Sequence, residues 1–191
     1  MKSHFFAYIS RMRFIQRWAL MRNTAQENVQ EHSHQTAVLA HALAVIRRER
    51  FGGTVDPGAV ASVALYHDAS EILTGDMPTP IKYDNPAIRQ AYKEVEAVAE
   101  RKLLHMLPEE LRRAYAPVLT PTDGEVIRLV KAADKLSAYI KCVEELKAGN
   151  TEFREAAAQT RQALEGYGLP EVDYFLETFM DSFSLSLDEL K

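Results

Sequence analysis

The chain has 191 residues, 47% of them hydrophobic and 26% charged, which is enough for one domain with a substantial core. Its net charge of -4 gives no reason to expect a nucleic-acid polymer or a membrane surface as a partner, and no apolar run reaches the roughly 20 residues of a membrane-spanning helix. The single Cys142 excludes an internal disulfide and a cysteine-based zinc site, and is typical of the cytoplasm.

Helical periodicity runs through almost the entire chain. Apolar residues recur about every 3.6 positions, and no stretch alternates with period two. The pattern predicts an all-α protein that folds as a single domain over residues 1–191, because no linker is long enough to divide it. In chain order, the predicted helices cover about residues 3–16, 28–50, 57–74, 86–106, 108–115, 122–147, 151–165 and 170–180.

Polar residues mark the ends of the longer predicted helices. Asn28 precedes the second helix, Gly52-Gly53 follows it, and Asp56-Pro57 opens the third with an N-cap and a first-turn proline. The residues predicted to face inward on the first four helices are Phe5, Tyr8, Ile9, Met12 and Ile15; Val29, His32, Thr36, Leu39, Leu43 and Ile46; Val60, Val63, Ala64, His67 and Glu71; and Ile88, Tyr92, Val95, Ala99 and Met106.

The pair His67-Asp68 is the strongest chemical signal in the chain. On a continuous helix His67 lies four residues before Glu71, and Asp68 three before it, so all three side chains would project toward one side. His32 and Asp134 lie on inward faces of two other predicted helices. Because an isolated buried carboxylate is costly, such residues are expected to be paired or bound to a metal.

Two histidines and two aspartates form a mixed nitrogen and oxygen ligand set. Such a set suits manganese, iron, cobalt, nickel or zinc better than calcium. Four protein ligands on an octahedral ion leave two positions for water and substrate, and the ion can lower the pKa of a bound water. The alternative is structural: each histidine is a satisfied core residue, and Asp134 pairs with Lys131 or Lys135.

Four further residues are candidates for chemistry beside such a site. Glu71 and Asp76 can carry a proton or orient a water, although a helix-surface residue and a turn former are the ordinary explanations. Arg17 suits phosphate binding and Trp18 offers a flat apolar wall. Taken alone, this pair is better explained as a helix-end cation and an ordinary core tryptophan.

Five segments together resemble the bacterial 5'-deoxynucleotidases of the HD-domain metal-dependent phosphohydrolase superfamily. These segments are FIQRW at 14–18, ENVQEHS at 27–33, YHDASE at 66–71, TGDMPTP at 74–80 and AADKL at 132–136. The resemblance implies one compact, all-helical HD-domain bundle with its metal-site core at about residues 28–140. It also implies a homodimer in the cytoplasm that removes the 5'-phosphate from deoxyribonucleoside monophosphates.

The resemblance assigns a role to each candidate residue. It implies one divalent cation, cobalt, manganese or similar, with His32, His67, Asp68 and Asp134 as its ligands. Arg17, Glu71 and Asp76 are the implied catalytic residues, of which Arg17 orients the phosphate and Glu71 acts as an acid, base or water-orienting group. The residues implied to contact the substrate are Arg17, Trp18, His32, Asp76, Thr79 and Asp134. Trp18 would lie against the sugar, where crowding disfavours a 2'-hydroxyl.

Two other functions stay open at this point. The same ligand set serves nucleoside triphosphate hydrolases and cyclic-nucleotide phosphodiesterases, although the short chain lacks the additional His and Asp expected of a two-metal site. A non-catalytic nucleotide-binding module is the other alternative. It is disfavoured because neither a ligand nor Glu71 is missing. The expected partners are a deoxynucleotide and a second copy of the chain, with no nucleic-acid polymer and no membrane.

Overall fold

The computed structural model describes residues 2–82 and 85–190, with the side chains of residues 79 and 80 excepted. Over this part of the chain the protein is helical, with one isolated antiparallel bridge between Gln16 and Asn28, which confirms the predicted all-α class. No helix in it has the length and apolar character needed to cross a membrane. The α-helices are α1 (Phe5–Ile9), α2 (Val29–Phe51), α3 (Pro57–Tyr66), α4 (Glu71–Thr74), α5 (Thr79–Lys82), α6 (Pro86–Met106), α7 (Glu109–Leu119), α8 (Gly124–Lys147), α9 (Arg154–Glu165) and α10 (Pro170–Phe179).

Helices α2, α3 and α8 pack against one another and form the centre of the bundle. All six predicted inward positions of α2, from Val29 to Ile46, are buried, so its predicted face is confirmed. Leu43 of α2 and Leu136 of α8 are completely buried in the same cluster. Full burial of a leucine contributes about 1.5–3 kcal/mol, so this seam supplies much of the stability of the fold.

Both predicted ends of α2 and the predicted start of α3 are also confirmed. Asn28 accepts a hydrogen bond from the backbone N–H of Glu31, and the Glu31 side chain accepts one from the N–H of Asn28, which forms a capping box. Gly52 ends α2 with a φ of 68°, a conformation that glycine adopts without steric cost. Asp56 caps α3 by accepting from the N–H of Gly58.

The C-terminal helices complete the core rather than standing apart from it. Helix α9 packs on α8, and α10 packs on α2. Arg47 of α2 donates to Glu125 of α8 at 2.6 Å and to the fully buried Glu171 of α10 at 3.0 Å, so one guanidinium joins three helices.

The third predicted helix is wrong beyond Tyr66. Helix α3 ends there, residues 67–70 form turns, and α4 starts at Glu71. The N–H groups of Ala69 and Glu71 bond to the carbonyls of Tyr66 and Asp68, three residues back instead of four. The premise that His67, Asp68 and Glu71 share one face of a continuous helix therefore fails.

Smaller differences affect other helices. The first predicted helix is α1 followed by a 3₁₀ segment, Ser10–Phe14, and α7 extends to Leu119 instead of ending near Tyr115. Val95, predicted to face inward on α6, is 51% exposed.

Candidate active site

The turn between α3 and α4 presents His67 and Asp68 to the centre of the bundle. The carbonyl of Ala64 accepts from the His67 N–H at 3.4 Å and lies 2.7 Å from the same residue's Nδ1. The imidazole thus binds a carbonyl that the N–H of Asp68 would occupy in a continuous α-helix. Local competition between side chain and backbone accounts for the end of α3.

The side chains of all four predicted metal ligands lie close together at this turn. His32 Nε2 lies 3.0 Å from Asp134 Oδ1 and 3.6 Å from Asp68 Oδ2. His67 Nε2 lies 3.2 Å from Asp68 Oδ2 and 4.0 Å from Asp134 Oδ1. One ligand atom each from His32, His67 and Asp68 lies within 4.8 Å of the others. The side chain of Asp134 is 34% exposed rather than buried.

The donor set fits a divalent cation. Because Nδ1 of His67 donates to the Ala64 carbonyl, its Nε2 is the nitrogen left to bind a metal, which would displace the proton there. This Nε2 is buried and has no hydrogen-bond partner among the described residues. His32 Nδ1 lies 3.2 Å from Ser137 Oγ, which fixes the second ring in the manner usual for metal-binding histidines.

The electrostatics of the cluster favour a cation. Burial opposes ionisation of both aspartates, but the neighbouring histidines and Arg17 hold the pKa of Asp68 and of Asp134 well below the usual range. Burial likewise opposes the charged form of His67, but Asp68 and Asp134 raise the pKa of this imidazole to about 9. The negative charges of Asp68 and Asp134 therefore favour the binding of a cation between the two imidazole rings.

Arg17 and Trp18 lie beside this cluster on the segment before α2. Arg17 Nη1 donates to Asp68 Oδ2 at 3.3 Å, and Arg17 Nε donates to Glu27 Oε2 at 3.1 Å. Burial opposes the charge of Arg17, but the surrounding carboxylates raise its pKa above the ordinary value. Trp18 Nε1 donates to the same Glu27 oxygen at 2.9 Å, and its ring packs against Phe153 at 5.3 Å between centroids.

Trp18 has an unusual backbone conformation. Its φ of 56° lies in the left-handed region, and it is the only non-glycine residue there in the described part of the chain. Such a conformation costs on the order of 1–3 kcal/mol and persists only where the surroundings fix it. Here the Trp18 carbonyl accepts from the N–H of Met21 and from Asn23 Nδ2, so the turn that carries the indole is held on its other side.

The loop over residues 17–27 is anchored at its far end by the buried Glu145 of α8. This carboxylate accepts from Thr24 N at 2.9 Å, from Ala25 N at 3.2 Å and from Asn150 Nδ2 at 2.8 Å. Lys141 donates both to Glu145 and to the Ala25 carbonyl. The C-terminal part of α8 therefore fixes the loop that carries Arg17 and Trp18.

We expect Glu145→Ala to lower the free energy of unfolding by about 3 kcal/mol or more, because it leaves the buried Lys141 ammonium without its carboxylate. Burial opposes the ionised form of Glu145, but Lys141, Asn150 and Thr24 hold its pKa well below the ordinary value of 4.5. A lowered folded-state pKa stabilises the fold above the unfolded value, and this contribution decreases as the pH falls below it.

Urea unfolding of the wild type and Glu145→Ala at neutral pH tests the first statement, and unfolding of the wild type and Glu145→Gln over a pH series tests the second. The stability difference between the two proteins should be largest near neutral pH and should shrink at acidic pH. A difference that stays constant with pH would contradict the assigned charge.

Glu71 and Asp76 lie close to the cluster but differ in their surroundings. Glu71 is buried, and its Oε2 has no hydrogen-bond partner among the described residues. Burial, together with the charges of Asp68 and Asp76, raises the pKa of Glu71 to about 9. The pKa of Asp76 is also raised, mainly by burial, against the opposing charge of Arg17. Thr79 begins α5, but its side chain lies outside the described part of the structure.

The structure adds one residue that sequence reasoning missed. Glu27 connects Arg17 with Trp18, yet no role was predicted for it. The sequence did contain a signal for this role. Glu27 is an acidic residue directly before the N-cap Asn28, and at that position it neither lies on the apolar face of the helix nor caps it.

Comparison with known proteins gives close relatives over the full chain. A family model described as "5'-deoxynucleotidase YfbR-like" matches residues 4–183. A 5'-deoxynucleotidase of Photobacterium profundum is 53% identical, over 99% of this chain and 98% of the relative. One of Erwinia tasmaniensis is 54% identical, over 98% of this chain and 96% of the relative.

Solved structures show a similar fold at lower identity. An HD-domain phosphohydrolase from Listeria innocua has a TM-score of 0.82 at 24% identity, covering 94% of this chain and 88% of that one. A cyanophage S-2L HD phosphohydrolase, bound to dA and one catalytic Zn²⁺ ion, has a TM-score of 0.65 at 19% identity, covering 92% and 96%.

Proposed function

The chain belongs to the YfbR-like 5'-deoxynucleotidase family, and from this premise we propose that it removes the 5'-phosphate from deoxyribonucleoside 5'-monophosphates at the His–Asp cluster. One observation links the proposed activity to the residues of this cluster. Asp68 lies between the two imidazoles of His32 and His67 and also accepts a hydrogen bond from the Arg17 guanidinium. A cation site and a guanidinium that share one carboxylate suit a dianionic phosphate.

We propose that His32, His67, Asp68 and Asp134 hold one divalent cation, cobalt, manganese or a similar ion. The buried, unpartnered Nε2 of His67 supports this ligand set, and the cyanophage phosphohydrolase of similar fold contains one catalytic Zn²⁺ ion. When bound, a divalent cation supplies Lewis-acid stabilisation of phosphate charge and lowers the pKa of a coordinated water.

The protein side chains then divide the remaining tasks. Arg17 exchanges its contact with Asp68 for the phosphate oxygens and stabilises their charge as water attacks phosphorus and the bond to the 5'-oxygen breaks. A cation at the cluster would lower the pKa of Glu71, so that this carboxylate can take the proton of the attacking water, and Asp76 gives a proton to the departing 5'-oxygen. We expect Glu71→Gln and Asp76→Asn to alter different limbs of the kcat–pH profile.

The sugar is proposed to lie against Trp18. The indole is fixed by Glu27 and Phe153, so it forms a rigid wall rather than an adaptable one. A rigid wall excludes an additional hydroxyl by crowding, which favours deoxyribose over ribose. His32, Asp76, Thr79 and Asp134 are proposed to complete the nucleotide site.

The test measures phosphate release from paired deoxyribo- and ribonucleoside 5'-monophosphates by the purified protein with added manganese or cobalt. We expect release from the deoxy substrates, a lower kcat/KM for the ribo substrates and no turnover after chelation. Absence of phosphate release from every monophosphate by metal-loaded protein would sink the proposal.

The same assay separates the alternatives. Release of triphosphate from a nucleoside triphosphate would identify a triphosphohydrolase, and opening of a cyclic phosphate would identify a phosphodiesterase. Tight nucleotide binding without turnover would identify a non-catalytic module. The first two outcomes replace the proposed substrate and the third removes the proposed activity, while all three keep the same ligand residues.

We also propose a homodimer of single-domain chains in the cytoplasm. The dimer is supported by α6, where Val95 and Val98 are three residues apart and 51% and 43% exposed. The single domain is supported by the packing of α9 and α10 onto α8 and α2, and the location by the lone free Cys142. A monomeric mass in sedimentation velocity at micromolar concentration would contradict the dimer.

A further inference from the structure

The buried carboxylate of Glu27 contacts two side chains that serve different parts of the proposed substrate. Its Oε2 accepts from Arg17 Nε at 3.1 Å and from Trp18 Nε1 at 2.9 Å, and the residue is 8% exposed. We infer that Glu27 is a positioning residue that couples the orientation of the phosphate-binding arginine to that of the sugar-facing tryptophan. The inference rests on the proposed function.

The shared oxygen is what makes the two orientations interdependent. Arg17 presents Nε to Glu27 and Nη1 to Asp68, so the plane of its guanidinium is defined by two carboxylates on opposite sides. Trp18 has one donor atom, Nε1, and Glu27 accepts it. A displacement of the Glu27 carboxylate therefore rotates both the guanidinium and the indole.

The backbone of Glu27 is fixed, so its carboxylate can serve as a reference point. The Glu27 carbonyl accepts from the Arg17 N–H at 2.9 Å, next to the bridge between Gln16 and Asn28. Asn28 in turn caps α2, which also carries His32. Glu27 thus connects the segment that binds substrate to a helix that carries a predicted metal ligand.

Only glutamate meets both requirements of this position. Glutamine keeps the length but replaces a charge-assisted acceptor with a neutral amide, which forms weaker bonds. Aspartate keeps the charge but is shorter by one carbon, about 1.5 Å, so it cannot reach both donors without a shift of the loop.

The experiment compares Glu27→Gln and Glu27→Asp with the wild type by kcat and KM for a matched deoxyribo- and ribonucleoside 5'-monophosphate pair. We expect Glu27→Gln to lower kcat/KM for the deoxy substrate about 10–100-fold, and the deoxy-to-ribo ratio to fall with it. Glu27→Asp should recover part of the rate and less of the ratio.

A second readout does not depend on activity. Trp18 is the single tryptophan of the chain, so intrinsic fluorescence reports its indole alone. We expect the emission of Glu27→Gln to shift relative to the wild type, while circular dichroism and the melting curve show a folded protein.

Glu152→Gln is the matched control. Glu152 is exposed and accepts from the Arg22 N–H of the same loop. It should keep the wild-type ratio and emission. A folded Glu27→Gln protein with wild-type ratio and emission would overturn the inference, as would equal changes in the control. A wild type that hydrolyses no nucleotide would overturn the proposed function instead, and the emission comparison alone would then decide whether Glu27 positions Trp18.

Discussion

His67→Gln should lower kcat about 10³-fold, because the site then lacks a proposed ligand of the cation, and such a cation contributes several kcal/mol to stabilising the transition state. The fold should persist, since the ring makes one hydrogen bond, to the Ala64 carbonyl, and its Nε2 meets only the carboxylates of the cluster, Asp68 and Asp134. Metal content of the purified protein, measured by elemental analysis after dialysis against manganese or cobalt, should fall in parallel with activity.

The matched control for this substitution is His41→Gln. His41 is an exposed histidine on α2, the helix that carries His32, and lies outside the cluster. This variant should bind metal and turn over substrate as the wild type does. Full metal occupancy in folded His67→Gln protein would show that the imidazole is not a ligand.

Arg17→Ala should lower kcat/KM for a deoxynucleoside monophosphate about 10²–10³-fold, as expected for the loss of one preorganised donor to a developing charge. Arg17→Lys should recover only part of this loss, because an ammonium is a point charge that cannot donate to Glu27 and to the phosphate in one plane. Steady-state kinetics at saturating metal provide the measurement.

Arg13→Ala is the control for Arg17. Arg13 is exposed and lies 5.0 Å from the Phe14 ring, so its removal changes the charge of the same segment without touching the cluster. If Arg13→Ala and Arg17→Ala lose activity equally, the arginine acts through general electrostatic attraction and not by orienting the phosphate.

The helical fold was predictable because burial and capping are local in sequence. The inward face of α2 is visible as the spacing of Val29, Leu39 and Leu43, and its ends are visible as Asn28 and Gly52. Each of these signals lies within one helix, so no tertiary contact was needed to find it.

The end of α3 was not predictable from the same signals. Residues 64–70 contain neither glycine nor proline, so nothing in the sequence marks a helix end within the site. At the end of the helix the His67 ring forms a hydrogen bond with the Ala64 carbonyl. This bond depends on the side-chain rotamer of His67, which the sequence does not reveal. Glu27 was missed for a related reason, since its two partners meet it only once residues 16 and 28 pair.

Because Phe153 packs behind Trp18, the proposed selection of the nucleotide depends on a different part of the fold from the proposed metal binding. Phe153 is fully buried behind the indole, in a segment after α8 that supplies none of the predicted ligands. We expect substitutions of different volume there to move the indole that is proposed to face the sugar, without altering the residues of the His–Asp cluster. If Trp18 faces the sugar as proposed, selectivity among nucleotides can be engineered through Phe153, a buried residue behind the indole.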